Sequence, residues 1–195
     1  MSKTNPPTTS REGLTWAKLL RFFSLPFFPG KLKTFLAVKR FEEVPIDSIL
    51  AAGIKGVLID ADGTLCEHHS REFSPAVIEH VQKMISAGLK VGIYTNAFED
   101  RFEIFTGVEI VTDVHPKPDP RGFLSAMKNH LRMEYPNEVC MIGDNYITDG
   151  GAIPAGMLFI YIQPIKGNEN LLHSLFRAYG ASLAKFYFPD KFRGM

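Results

Sequence analysis

The chain has 195 residues, of which 45% are hydrophobic, 22% charged and 12% aromatic, the composition of a globular protein rather than a disordered, collagen-like or membrane-embedded one. Two cysteines, Cys66 and Cys140, exclude a disulfide framework and a four-cysteine zinc site; the longest uncharged run, the 16 residues Gly150 to Ile165, is shorter than the roughly 20 that a spanning helix needs. The net charge of +1 hides an asymmetry: residues 1–45 carry +5, residues 171–195 carry +3, and the acidic middle carries −7, so the ends are basic and aromatic around an acidic centre.

Residues 1–10, polar and proline-rich, read as a disordered tail. Trp16, Leu19, Leu20 and Phe23 fall at helical spacing, with Lys18 and Arg21 between them and Pro26, Pro29 and Gly30 as stop signals. The two cations also interrupt the first apolar stretch, so no secretory signal is read there. The segment KLKTFLAVKRF follows, and residues 1–44 are taken together as a tail and basic aromatic extension to a domain at 45–195.

From Ile54 strands and helices alternate. GVLID is a strand. Ser74 and Pro75 open a helix whose face is Val77, Ile78, Val81, Met84 and Ile85, and Gly88 ends it. KVGIYT is a strand, a short polar helix spans Glu99–Phe105, and VEIVTDV is a strand. Asp119 and Pro120 open a helix with Phe123, Leu124, Met127 and Leu131 on its face. EVCMIGD and MLFIYIQP are strands, and a last helix starts near Asn170, with Leu171, Leu172, Leu175, Phe176 and Tyr179 expected to cover the sheet. This order implies a parallel α/β sheet, in which ligands bind beyond the C-terminal ends of the strands.

Those ends carry a consistent set of groups. LIDADGTLC supplies Asp60 and Asp62, IYTNA supplies Thr95 and Asn96, and MIGDNYITDG supplies Asp144 and Asp149; the loop HPKPDP supplies Lys117. Four carboxylates at one sheet edge repel one another, so a cation is expected among them. Aspartate oxygens without a His/Cys cluster suit a hard ion, Mg²⁺ by default. Mg²⁺, a lysine and a threonine hydroxyl together suit a phosphoryl group. An aspartate can be the nucleophile, and a second acid two residues on can serve as general acid and base. Gly63 lets the chain turn sharply after the strand.

DADGTL, Thr95-Asn96, the Lys117-Pro118 pair and GDNYITD, in this order over about residues 54–165, resemble the haloacid dehalogenase (HAD) superfamily. The resemblance implies a three-layer Rossmann-like fold with a central parallel sheet. It implies Asp60 as nucleophile and Mg²⁺ ligand, and Asp62 as general acid/base with its backbone carbonyl on the metal. Thr95 would bind the transferring phosphoryl, with Asn96 beside it. Lys117 would neutralise charge, Asp144 would ligate Mg²⁺, and Asp149 would orient the lysine or a metal-bound water. The gaps where such enzymes insert a cap, EHHSREFS and the twenty residues between Asn96 and Lys117, are too short for a packed cap. The site is therefore expected to be open and able to take a bulky substrate. The block GDNYITDGGAIPAGMLFIYIQPI with IKGVLIDADGTL is most similar to the YqeG-like type IIIA group, which includes mitochondrial-type phosphatidylglycerophosphate phosphatases.

The basic aromatic ends suit an anionic membrane interface, so a phosphorylated substrate, a membrane phospholipid in particular, is the expected partner. Peripheral membrane association of a cytoplasmic protein is expected with it, and no nucleic acid. A small soluble sugar or nucleotide phosphate is the alternative substrate, and an inactive membrane- or protein-binding module the alternative of another class. His68, His69, Arg71 and Arg101 read as solvated loop residues, and both cysteines as apolar fillers.

Overall fold

In the computed structural model, which describes residues 13–68, 70–96, 101–167 and 169–195, the five segments read as strands are strands, and a sixth joins them. The strands are β1 (Leu36–Val38), β2 (Gly56–Ile59), β3 (Lys90–Tyr94), β4 (Glu109–Val111), β5 (Val139–Gly143) and β6 (Leu158–Ile162). They form one sheet in the order β1-β6-β5-β2-β3-β4, and every pairing is parallel. The helices are α1 (Trp16–Ser24), α2 (Ile46–Ala51), α3 (Pro75–Ser86), α4 (Pro120–Ser125) and α5 (Leu171–Tyr187).

A period of two divides the core between the two faces of the sheet. Val57 and Ile59, Val91 and Ile93, and Cys140 and Ile142 pack with Ile49 of α2 and Val77, Val81 and Met84 of α3. Leu58, Tyr94, Met141, Phe159 and Tyr161 pack with Phe123 of α4 and with Ala181 and Ala184 of α5. The result is the three-layer α/β arrangement with a parallel sheet. Strands covered on both faces must be apolar on both, which is why GVLI and VCMIG read as continuous apolar runs. Leu58 is fully buried at the sheet centre, and Leu58→Ala would cost about 2–5 kcal/mol.

The helix starts follow the capping residues. Ser74 accepts from the Val77 backbone N–H (3.3 Å) ahead of Pro75. Asp119 accepts from the Arg121 N–H (2.9 Å), and Asn170 from the Leu172 N–H (3.0 Å). Each satisfies one of the orphan donors of a first turn. α4 runs on as a π turn over Ala126–His130.

Three expectations are corrected. β1 lies within the span read as an extension and pairs with β6, Leu36 opposite Ile160; a three-residue edge strand inside a basic segment gives too short an apolar run to stand out. α1 is helical, as the spacing predicts, and its apolar residues face outward: Lys18 and Arg21 are buried, whereas Trp16 is 80% exposed, Leu20 68% and Phe23 66%. α5 buries Arg177, Gly180, Ala181 and Ala184 and leaves Leu171, Leu172 and Leu175 exposed. Its small residues permit close approach, since a Cβ at Gly180 would lie 3.0 Å from the Tyr146 Cβ. Residues 101–105 are not helical; residues 97–100 of that expected helix, the tail at 1–10 and His69 lie outside the described residues. Among the described residues no helix is long and apolar enough to cross a membrane.

Candidate active site

β2 is central, paired with β5 on one side and β3 on the other. The chain leaves β2 toward β3 and β4, then returns to add β5 and β6 on the other side, where β6 pairs with β1 from upstream of β2. Parallel sheets bind ligands where the strand order reverses in this way. Asp60, Thr95 and Asp144 are the first residues beyond β2, β3 and β5, so three adjacent strands deliver them to one edge. The Asp60 N–H donates to the Ile142 carbonyl (2.9 Å) and prolongs the pairing by one residue.

Two glycines make room for the carboxylates. Gly63 has φ +84°, and a Cβ there would lie 2.5 Å from Asp144 Oδ2. A Cβ at Gly143 would lie 2.5 Å from Asp149 Oδ2. Neither position accepts a side chain without moving an aspartate.

Lys117, from the loop between β4 and α4, is buried and donates to Asp60 Oδ1 (2.5 Å) and Asp149 Oδ1 (2.6 Å). Asn96 holds the lysine's backbone: its Oδ1 accepts from the Lys117 N–H (3.1 Å), and its Nδ2 donates to the Lys117 carbonyl (3.4 Å). Asp149 is fixed from the opposite side by the Asn145 N–H on Oδ2 (3.1 Å) and the Thr148 hydroxyl on Oδ1 (3.4 Å). Thr95 is buried and lines the same cavity. The expected site residues therefore come together, with Asn96 contacting the backbone of the lysine.

Two arginines complete the set, and sequence reasoning missed both roles. Arg177 of α5 donates to Asp144 Oδ2 (2.7 Å). Arg101 donates to Asp62 Oδ2 (2.7 Å) and to the Ser70 carbonyl (2.6 Å), with its side chain closed to solvent. Arg101 was expected to be solvated; an isolated charge in a loop carries no local sign of burial. Arg177 had a usable sign: it lies at i, i+3, i+4, i+7 with Gly180, Ala181 and Ala184, on the stripe that packs closest.

Asp60, Asp144 and Asp149 bring carboxylate oxygens within 4.8 Å of one another. Burial, reinforced by the Asp149 charge and opposed by Lys117, raises the Asp60 pKa to about 7. Burial also raises Asp144 well above the usual carboxylate range, against the pull of Arg177. Lys117 is held above its ordinary value; burial alone would lower it, but Asp149 and Asp60 together outweigh that. When all four are ionised, the carboxylates exceed Lys117, Arg101 and Arg177 by one negative charge. An all-oxygen donor set with unneutralised charge and no room for a side chain fits a hard divalent cation such as Mg²⁺.

These groups open into a cavity of about 490 Å³ lined by Asp60, Asp62, Thr95, Asn96, Lys117 and Asp144 on one side. The other side is Leu14 and Lys18 of the N-terminal segment, His68, and Glu169, Leu172 and His173 at the start of α5. His68, expected to be a solvated residue, is a wall of this cavity with its side chain 14% exposed. Both cysteines are buried, as fillers are.

A family model described as mitochondrial PGP phosphatase matches residues 22–157, a span that holds Asp60 through Asp149. "Probable phosphatase YqeG" of Bacillus subtilis (strain 168) is 29% identical over 140 residues, covering 69% of this chain and 79% of that protein. The crystal structure of an uncharacterized protein from Listeria monocytogenes serotype 4b aligns with a TM-score of 0.46 at 20% identity, over 60% of this chain and 85% of that one.

Proposed function

Since the chain belongs to the mitochondrial PGP phosphatase family and is a phosphatase of the HAD type, we propose that it hydrolyses the phosphomonoester of a phospholipid, phosphatidylglycerophosphate, through a phosphorylated Asp60 with Mg²⁺ as cofactor. The observation that carries the lipid reading is that exposed apolar side chains stand at the cavity wall and on the two helices beside it. Leu14 and Leu172 line the cavity and are half exposed. Leu171 and Leu175 of α5 and Trp16, Leu20 and Phe23 of α1 are exposed as well. α1 and α5 are locked side by side by Phe22 against Phe176 (4.4 Å between ring centroids) and Tyr179 (4.3 Å). The Tyr187 hydroxyl donates to the Pro26 carbonyl (2.8 Å). An outward apolar face beside an open site brings the site to acyl chains, and the protein associates peripherally with the membrane surface.

The chemistry is derived from the same groups. A carboxylate oxygen of Asp60 attacks phosphorus in line, and the bond from phosphorus to the glycerol oxygen breaks. Asp62 gives its proton to the departing oxygen. Asp62 then takes a proton from a water whose oxygen attacks phosphorus, which releases phosphate and restores the Asp60 carboxylate. Lys117 and the Thr95 hydroxyl compensate charge on the phosphoryl oxygens, while Asn96 and Asp149 hold Lys117 in place. Asp60, Asp144 and the Asp62 backbone carbonyl would hold Mg²⁺, which supplies charge neutralisation to the phosphoryl group.

The test is Mg²⁺-dependent phosphate release by the full chain and by Asp60→Asn, with phosphatidylglycerophosphate in mixed micelles beside soluble sugar and nucleotide phosphates. The proposal expects release from the lipid by the parent protein and none from the variant. Release from soluble esters alone would reject the lipid, and full activity in Asp60→Asn would reject the nucleophile.

A further inference from the structure

His68 follows the first catalytic loop, and Glu169 and His173 lie one helical turn apart at the start of α5. Nothing in the phosphatase chemistry uses them, and two of the three lie beyond the span matched by the family. The fold nevertheless brings them together. Glu169 Oε2 is 3.5 Å from His68 Nε2 and 3.6 Å from His173 Nδ1, and one ligand atom from each residue falls within 4.8 Å of the others.

These distances are too long for hydrogen bonds between an imidazolium and a carboxylate, which lie near about 2.7–2.9 Å. They are close to the spacing of donor atoms around a single ion, since bonds of about 2.0–2.1 Å in a tetrahedral zinc shell place neighbouring ligands about 3.3–3.5 Å apart. Glu169 Oε2 and His173 Nδ1 are buried and lack a hydrogen-bond partner among the described residues, although the Glu169 side chain is only 10% exposed. A buried carboxylate oxygen that faces the His173 nitrogen without a hydrogen bond is costly unless something sits between them. The other oxygen, Oε1, accepts from Arg177, an outer contact that orients the carboxylate as second-sphere donors orient metal ligands.

We propose that His68, Glu169 and His173 bind one divalent ion of the zinc class, separate from the acidic Mg²⁺ site. Two imidazole nitrogens and one carboxylate oxygen are borderline donors that favour Zn²⁺ over Mg²⁺. Three protein ligands leave a coordination position open, as in zinc sites that take an exogenous ligand. All three residues line the catalytic cavity, so the open position faces the part of the substrate beyond the reacting phosphoryl, where an anionic oxygen can occupy it. The Arg177 side chain bridges the two sites, holding Asp144 with one nitrogen and Glu169 with another.

Zinc binding is measured on the metal-free full chain in excess Mg²⁺, by calorimetry with Zn²⁺ and by visible absorption with Co²⁺. One equivalent should bind, with the intense bands of tetrahedral Co²⁺, and inorganic phosphate should shift those bands. His68→Ala, His173→Ala and Glu169→Gln should each weaken binding by at least about 100-fold, the upper end of what loss of an outer contact costs. Thermal melting establishes that each variant is folded, and Glu169→Gln keeps the side-chain shape should an alanine variant fail. Asp60→Asn should bind Zn²⁺ like the parent. Absence of stoichiometric binding, unchanged affinity in the folded His variants, or loss of binding in Asp60→Asn would overturn the site; bands insensitive to phosphate would overturn the open position. Because Zn²⁺ alone is the readout, failure here is distinguishable from failure of the phosphatase assignment.

Discussion

The guanidinium of Arg101 grips Asp62 at 2.7 Å, with the arginine side chain closed to solvent. The same guanidinium also holds the Ser70 carbonyl. Arg101 thus ties the proposed acid/base to the chain that follows it, and acts as a positioning residue. Arg101→Ala should lower kcat by about 10–100-fold, the cost of misplacing a reacting group by roughly 1 Å, with little change in KM. Arg101→Lys should recover part of the loss. A kcat equal to the parent's in Arg101→Ala would mean that the pair is only structural.

Arg21 joins α1 to the loop carrying Asp149. Its nitrogens donate to the carbonyls of Tyr146 (2.7 Å), Gly150 (2.5 Å) and Lys31 (3.0 Å). Arg21→Met fills much of the volume but leaves three acceptors unmatched. Urea unfolding should show a loss of about 3 kcal/mol, with weakened turnover as the Asp149 loop loosens. A loss below about 1 kcal/mol, the value of a typical single hydrogen bond, would show that water replaces the guanidinium without penalty.

The raised pKa values of Asp60 and Asp144 give a pH dependence with a definite sign. Burial is the main cause at both, with Asp149 adding at Asp60 and Arg177 opposing at Asp144. The folded protein therefore holds protons that the unfolded chain has released. Their stabilisation is complete below the unfolded pKa and lost as pH rises through the folded one, near about pH 7 for Asp60. Metal-free protein should become less stable from about pH 6 to pH 8, and Mg²⁺ should restore it by replacing the protons. The Mg²⁺-induced rise in Tm should be larger at pH 8 than at pH 6. An equal rise at both would contradict the assignment of these carboxylates to the metal.

The catalytic edge was legible because strand ends and turn glycines are local signals. Asp60, Thr95 and Asp144 each follow an apolar run that could only be a buried strand, and chain order alone implied that the runs lie parallel. Burial of a single charge is not local. Arg101, Arg177 and Glu169 find their partners across 39, 33 and 8 residues, and a lone arginine in sequence looks the same whether solvated or paired. Periodicity also gives the faces of a helix without saying which face is inward. For α1 the inward face is Lys18 and Arg21, because main-chain carbonyls are there to receive them: Gly13 O takes Lys18 Nζ at 2.7 Å, and three more take Arg21.

That arrangement leaves Trp16 and Phe23 in solvent. Trp16→Glu with Phe23→Glu should abolish co-sedimentation with anionic phospholipid vesicles while leaving Tm and the turnover of soluble phosphomonoesters as in the parent. Undiminished sedimentation would move the membrane contact away from α1.

The most direct test of the central claim is trapping of the phosphorylated enzyme. The full chain is mixed with Mg²⁺ and phosphatidylglycerophosphate in mixed micelles, quenched in acid and reduced with borohydride, which converts an aspartyl-phosphate to homoserine. Peptide mass spectrometry should place homoserine at position 60 and at no other aspartate, with far less formed from glycerol 3-phosphate. Homoserine at another aspartate, or phosphate released with position 60 unmodified throughout the first turnover, would contradict the account.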